Sequence, residues 1–356
     1  MLVRRTVVAS CLGVVLLMVP ALAQAQYQLT NLVSNQVSSS IPTIDPLLAN
    51  PWGLARSAGS PWWISDNDTG WSTLYNAVGV QSALRVVIPT AGNGPVSATG
   101  LNGPGSPTGI VYNPSKTDFQ VSGVASSFIF ATLDGTISAW PGLNKNLATL
   151  VVDNSATKAS YTGLAITTNA SGNFLYAADN ANNKIDMFDG GFNLVGSFGD
   201  PAPPANTSVF GIQDINGMVY VTYAVPGVGS GGVVDVFQEN GTFVKTLVPN
   251  TAVLNQAWGI ALAPSNFGPL SNTLLISNNS VNGTINGFNP VNGAFVGTIK
   301  TRSGFPIVLN NLWGIAFGGG TANNGATNEL FVTVGPGIGP NELAGTFASI
   351  VFNPAP

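Results

Sequence analysis

Histidine is absent from the 356 residues, and cysteine occurs once, at position 11. The first absence removes every His-based triad, His general base and His metal ligand. Charged residues make up only 7% of the chain, against about 25% in ordinary globular proteins. A helical bundle needs far more Lys, Glu and Arg on its solvent faces. Disorder is excluded from the other side, because the chain is 45% hydrophobic and disordered chains combine high charge with low hydrophobicity. No basic cluster exists, which argues against nucleic acid and anionic membrane surfaces as partners. What the chain has in quantity is punctuation: 43 Gly and 24 Pro.

Residues 1–25 read as a signal peptide. Arg4 and Arg5 precede an apolar run from Val7 to Pro20, and Ala23-Gln24-Ala25 supplies the small-x-small cleavage pattern. The expected localisation is therefore exported, periplasmic or extracellular. Residues 26–356 keep 9 basic and 15 acidic residues and no Cys, so that segment offers no disulfide, thiol nucleophile or zinc-thiolate site. After the signal, no apolar run reaches membrane-spanning length.

A repeat of about fifty residues dominates the rest. Glycine followed by apolar residues recurs at Trp52-Gly53-Leu54, Thr108-Gly109-Ile110, Thr162-Gly163-Leu164, Phe210-Gly211-Ile212, Trp258-Gly259-Ile260 and Trp313-Gly314-Ile315. Each copy leads into an apolar β-rich run such as Phe128-Ile129-Phe130-Ala131 or Leu274-Leu275-Ile276-Ser277. A third run alternates with period two, as in Gly283-Thr284-Ile285-Asn286-Gly287-Phe288, and a fourth follows a tight turn such as Asn240-Gly241 or Asn292-Gly293. Four short strands at this period make one propeller blade. The expected fold is all-β, a six-bladed β-propeller filling residues 26–356 as one domain, with glycine on each innermost strand where backbones crowd.

Blade six then lacks a fourth strand at the C-terminal end. The simplest donor is the segment 27–33, so the N-terminal strand of the mature chain is expected to complete the last blade and close the ring.

These residues resemble a secreted bacterial family of uncharacterised propeller proteins, related in architecture to NHL- and YVTN-type propellers. The resemblance rests on Asn50-Pro51-Trp52-Gly53, Trp63-Ile64-Ser65-Asp66-Asn67, Asp134-Gly135-Thr136-Ile137-Ser138, Leu262-Ala263-Pro264 and Gly283-Thr284-Ile285-Asn286. It implies fold and export, and carries no catalytic residue.

Loops entering the inner strands and loops joining second to third strands open on one face of a propeller, the channel mouth. Acids and amides recur there: Asp66, Asn67 and Asp68, then Asp134, then Asp179 and Asn180, then Asn278 and Asn279. Carboxylates and amide carbonyls are hard oxygen ligands that suit Ca²⁺, and six-bladed lactonase-type propellers hold calcium with such groups. Against this, Asp and Asn are favoured in turns because their side chains bond the local backbone, which is the commoner use. Trp52, Trp258 and Trp313 precede inner-strand glycines and either offer a stacking platform at the mouth, together with Asp134 as a polar contact, or pack between blades. Pro/Gly-rich insertions at 89–107, 225–232 and 335–345 fall on the same side.

Three functions are consistent with this pattern. One is a non-catalytic binding or scaffold protein whose mouth takes a small molecule, a glycan or an envelope protein. The second is a calcium-dependent lactonase-like hydrolase using Asp66, Asp179, Asn180 and Asn278. The third is a structural component of an envelope or matrix. The absence of histidine weighs against an enzyme.

Overall fold

A computed structural model describes residues 26–37, 41–92, 105–143, 146–225, 227, 229–335 and 344–354. The signal segment 1–25 lies outside the described residues, as do parts of the insertions at 89–107, 225–232 and 335–345.

Six antiparallel sheets are arranged as blades. Blade one comprises Pro51–Ala55, Trp62–Asp66, Trp71–Tyr75 and Val86–Val87. Blade two runs through Pro107–Tyr112, Phe128–Thr132, Thr136–Trp140 and Thr149–Asp153. Blades three and four are longer-stranded: Tyr161–Asn169, Gly172–Asp179, Lys184–Phe188 and Leu194–Phe198, then Ser208–Ile215, Met218–Ala224, Gly232–Gln238 and Phe243–Val248. Blade five holds Ala257–Leu262, Leu274–Asn278, Ile285–Phe288 and Phe295–Thr298. Blade six takes Leu312–Phe317, Leu330–Val334 and Thr346–Asn353 from the C-terminal end.

Its fourth strand is Gln26–Ser34, antiparallel to Thr346–Asn353 from the pair Gln26/Asn353 to the pair Ser34/Thr346, with one bulge between Asn31 and Val33. A two-residue strand, Thr43–Ile44, then lies parallel along its outer edge. The Tyr27 hydroxyl donates to Phe267 O at 2.7 Å and accepts from Leu270 N at 3.2 Å, pinning the latch to blade five. Burial pushes this phenol up to about 12.

The core is not one mass but six seams. Each of six apolar clusters joins two neighbouring blades. Trp63 of blade one stacks on Phe128 of blade two at 4.1 Å, and Trp62 packs on Phe331 of blade six at 4.9 Å. Both faces of each sheet are thus buried, which is why so few positions are left for charge.

Along the axis the glycines meet backbone of the next blade. A Cβ on Gly53 would lie 2.5 Å from Thr108 O, and one on Gly259 2.5 Å from Trp313 O. The passage between the inner strands measures about 40 Å³ and is lined by glycine and aliphatic residues together with Gln213 and Trp258, room for roughly two or three waters. Hydroxyls stitch the same seams: Thr108 Oγ1 donates to Tyr161 O at 2.6 Å, Thr162 Oγ1 to Phe210 O at 2.8 Å, and Ser277 Oγ to Trp313 O at 2.6 Å. Outer hairpins such as Asn240-Gly241 turn with only the glycine at positive φ (83°) and a bulge beside Phe237.

Candidate functional site

Above the narrow axial passage, Trp52, Trp258 and Trp313 close the mouth. Trp52 stacks on Trp313 at 3.6 Å, and Trp258 meets both edge-on at 6.1 and 5.7 Å. Phe210 and Leu133 complete this aromatic plug. All three indoles are under one-tenth exposed, so the rings stack on one another rather than forming an open platform. Two of their N–H groups are bonded: Trp313 Nε1 donates to Asn50 Oδ1 at 3.1 Å and Trp258 Nε1 to Thr162 O at 2.9 Å. Trp52 Nε1 is buried with no hydrogen-bond partner.

Beside the plug a cleft of about 920 Å³ opens over blades one, five and six. Of the described residues lining it, nine carry side-chain amides and one, Asp68, a formal charge. Trp52 and Trp313 form part of its wall. Asn279 also belongs to it, and its Nδ2 is a second buried donor without a partner.

The structure divides the acids and amides expected at the mouth. Asn67, Asp68, Asn278 and Asn279 line this one cleft, whereas Asp66, Asp179, Asn180 and Asp134 do not. Most hold turns or seams. Asp179 Oδ1 accepts from Ser160 N at 3.0 Å, and its Oδ2 from Asn182 Nδ2 at 2.7 Å. Asn180 Nδ2 reaches Val209 O at 2.6 Å, and Asn67 Nδ2 reaches Pro107 O at 3.1 Å, each a link to the next blade. Asn278 bonds Val253 O and Asn255 N, and Asp68 accepts from Asn50 Nδ2 at 3.1 Å. Asp134 accepts from Ala91 N at 2.7 Å and from the Thr132 hydroxyl. Asp66 is fully buried beneath the face; desolvation first, then the Asp45 carboxylate, push its acid well above the usual carboxylate range. Among the described residues no three Asp, Glu, His or Cys groups come together to cage a metal.

Sequence reasoning missed a set that the fold makes prominent. Asn50, Gln256 and Asn311 each stand three residues before an inner-strand glycine, each with φ near +50°. Their carbonyls accept from Asn67 N, Asn279 N and Gly335 N, so one backbone device positions the amides of blades one, five and six around the cleft. The signal was present as a recurring amide at a fixed distance from glycine, a place where Asn tolerates the left-handed conformation.

No family model matches the sequence. The chain is 30% identical over 319 residues to "Uncharacterized protein R648" of Acanthamoeba polyphaga mimivirus, covering 83% of this chain and 75% of that protein. "Uncharacterized protein L690" of the same virus is 28% identical over 320 residues, covering 83% and 80%. For "Uncharacterized protein R640", 30% identical over 295 residues, the chain spans about half the relative, 52%. These relatives are viral and lend no support to a bacterial source. Among solved structures, virginiamycin B lyase from Staphylococcus aureus superposes with a TM-score of 0.53 at 14% identity, over 92% of this chain and 99% of that one. A streptogramin B lyase structure gives 0.52 at 14% identity, over 92% and 98%. Likeness at this identity bears on the propeller fold alone. The chain belongs to the family of the mimivirus protein R648 and folds as a six-bladed β-propeller.

Proposed function

We propose that this chain is an exported, non-catalytic binding propeller whose mouth cleft takes a neutral, polyhydroxylated ligand, a glycan. The observation that carries the reading is the pair of unpartnered donors, Trp52 Nε1 and Asn279 Nδ2, among the residues lining one amide-rich cleft. A buried donor left unbonded costs roughly 1–3 kcal/mol, and acceptor oxygens of a bound sugar would relieve it. Amide side chains present both donor and acceptor, the pattern that matches hydroxyl groups. A wall with a single carboxylate disfavours ionic ligands of either sign.

The test is fluorescence titration with neutral cello-, malto- and chito-oligosaccharides, since the indole cluster borders the cleft. Saturable quenching is expected with at least one series and little dependence on salt. Asn279→Ala and Asn282→Ala should each weaken it about 3- to 10-fold. Absence of binding across all three series, or binding only of charged ligands lost in salt, would reject the assignment.

A further inference from the structure

The cleft at the mouth is longer than one sugar ring needs. Its walls include Trp52 and Trp313 on inner strands, Asn278 at the end of blade five's second strand, Asn286 on the third, and Thr298 and Phe295 on the fourth. It therefore crosses the whole width of blade five, from the axis to the rim. Four strands spaced by about 4.8 Å set that span at about 14 Å. The volume of about 920 Å³ lies near the top of the roughly 300–1,000 Å³ usual for small-molecule sites.

The two ends differ in chemistry. At the axis, Trp52 and Trp313 stack at 3.6 Å in the plug that closes the mouth. Both unpartnered donors belong to this end. Trp52 Nε1 is part of the plug, and Asn279 is tied by its N–H to Gln256 O at 2.9 Å, beside the start of blade five's inner strand.

At the rim the polar groups already satisfy one another. Asn286 Nδ2 donates to Thr284 Oγ1 at 3.1 Å, and its Oδ1 accepts from Thr298 Oγ1 at 2.7 Å. What the rim offers instead is Phe295, which is 49% exposed. Phe288, opposite it on the third strand, packs edge-on at 5.8 Å, so the ring is held in place while half of the residue stays open. The equivalent ring of blade four, Phe243 opposite Phe237, is half-buried and does not line the cleft.

We infer that the cleft is a single-ended groove for a run of about three sugar units, with the chain end fixed at Trp52 and Asn279 and the third ring lying against Phe295. The inference rests on the assignment of the cleft to a neutral glycan. Unpartnered donors select for the unit that reaches them, because a sugar oxygen placed there supplies the hydrogen bond they lack. The plug stops the chain from continuing past them, so the unit they read is a terminal one. An aromatic ring contributes differently. It covers the apolar face of a sugar ring and asks for no particular pattern of hydroxyls. Specificity then resides at the axis, and the dependence of affinity on length resides at the rim.

The experiment is calorimetric titration of the protein with the cello-, malto- and chito-series from dimer to hexamer. In the series that binds, affinity should climb about 3- to 10-fold from dimer to trimer and change by less than about twofold beyond it. Phe295→Leu keeps an apolar side chain against Phe288 and removes the ring. It should lower trimer affinity by about 3- to 10-fold, to the level of the dimer, and leave dimer affinity unchanged. Phe243→Leu, at the equivalent position of blade four, should alter neither. A long soluble polymer of the same sugar should compete in proportion to its chain ends. Failure to bind any series at any length would reject the glycan assignment and the groove with it. Binding that is equally strong from dimer to hexamer, or still strengthening at the hexamer, would overturn the groove alone. So would wild-type trimer affinity in Phe295→Leu, or competition in proportion to sugar units.

Discussion

Removing residues 26–34 is expected to leave a protein that no longer melts as a native propeller, or melts far below the intact chain. Tyr27, Leu32 and Val33 are all buried in the seams on either side of blade six. At roughly 1.5–3 kcal/mol for each such side chain, their loss alone approaches the about 5–15 kcal/mol by which a domain is stable. The loss does not stop there. Strand Thr346–Asn353 becomes an open edge with unpaired N–H and C=O groups, the feature that templates aggregation. The two hydrogen bonds of the Tyr27 hydroxyl to blade five go as well. Circular dichroism melts with size-exclusion chromatography of the truncated chain check this; an unchanged Tm and a monodisperse peak would show that the ring does not need its latch. Tyr27→Phe separates the components. It keeps the strand and removes only the hydroxyl bridge, so a loss of about 1–2 kcal/mol is expected.

The latch was legible because counting strands per repeat leaves one short, and only one unused alternating segment remained. The axial glycines were legible for a similar reason: a steric demand repeated six times writes itself into the sequence at a fixed period. The site was less so. Asn and Asp serve turns so often that Asp179 and Asn278 look alike in the chain, yet one fixes a turn outside the cleft and the other lines it. What separates them is which loops meet in space, and that depends on all six seams at once. Two buried acids on third strands, Asp186 of blade three and Asp235 of blade four, make the same point for charge. Lys184, which donates to Asp186 Oδ1 at 2.6 Å, is two residues away and visible, while the Asp235 acid is raised by desolvation and then by Asp200, which comes from a linker thirty-five residues earlier. For Trp52, Trp258 and Trp313 the sequence left a stacking platform and packing between blades both open; their mutual stacking follows from the convergence of blades one, five and six on one axis, which no local pattern encodes.

Among the six inner-strand glycines, Gly211→Ala should be the most damaging. A Cβ at Gly211 would fall on Trp258 O, well inside contact distance, with the Trp258 carbonyl carbon at 2.8 Å and Thr222 Oγ1 at 2.9 Å. Two of these three atoms are backbone of the next blade, so relief requires the inner strands of blades four and five to part. That would disturb the Trp258 ring, whose N–H anchors to Thr162 O in blade three. It would also disturb the hydrogen bond from Gly211 N to Thr222 Oγ1 at 2.8 Å. Overpacking of this kind costs about 3 kcal/mol or more, a fall in Tm of roughly 5–10 °C. The internal repeat supplies the control. Gly163 occupies the same position in blade three, but its nearest atom would be Phe210 O at 3.1 Å, a distance that small backbone adjustment accommodates. Gly163→Ala is therefore expected to lower Tm by less than about 3 °C. Because the φ of neither glycine lies in the left-handed region, the contrast isolates strand separation at the axis from backbone strain. Equal melting temperatures for the two variants would mean that the axis yields more readily than its close approaches imply. A large gap, with altered indole fluorescence in Gly211→Ala alone, would establish that the aromatic plug and the ring's inner radius are set by the same contact.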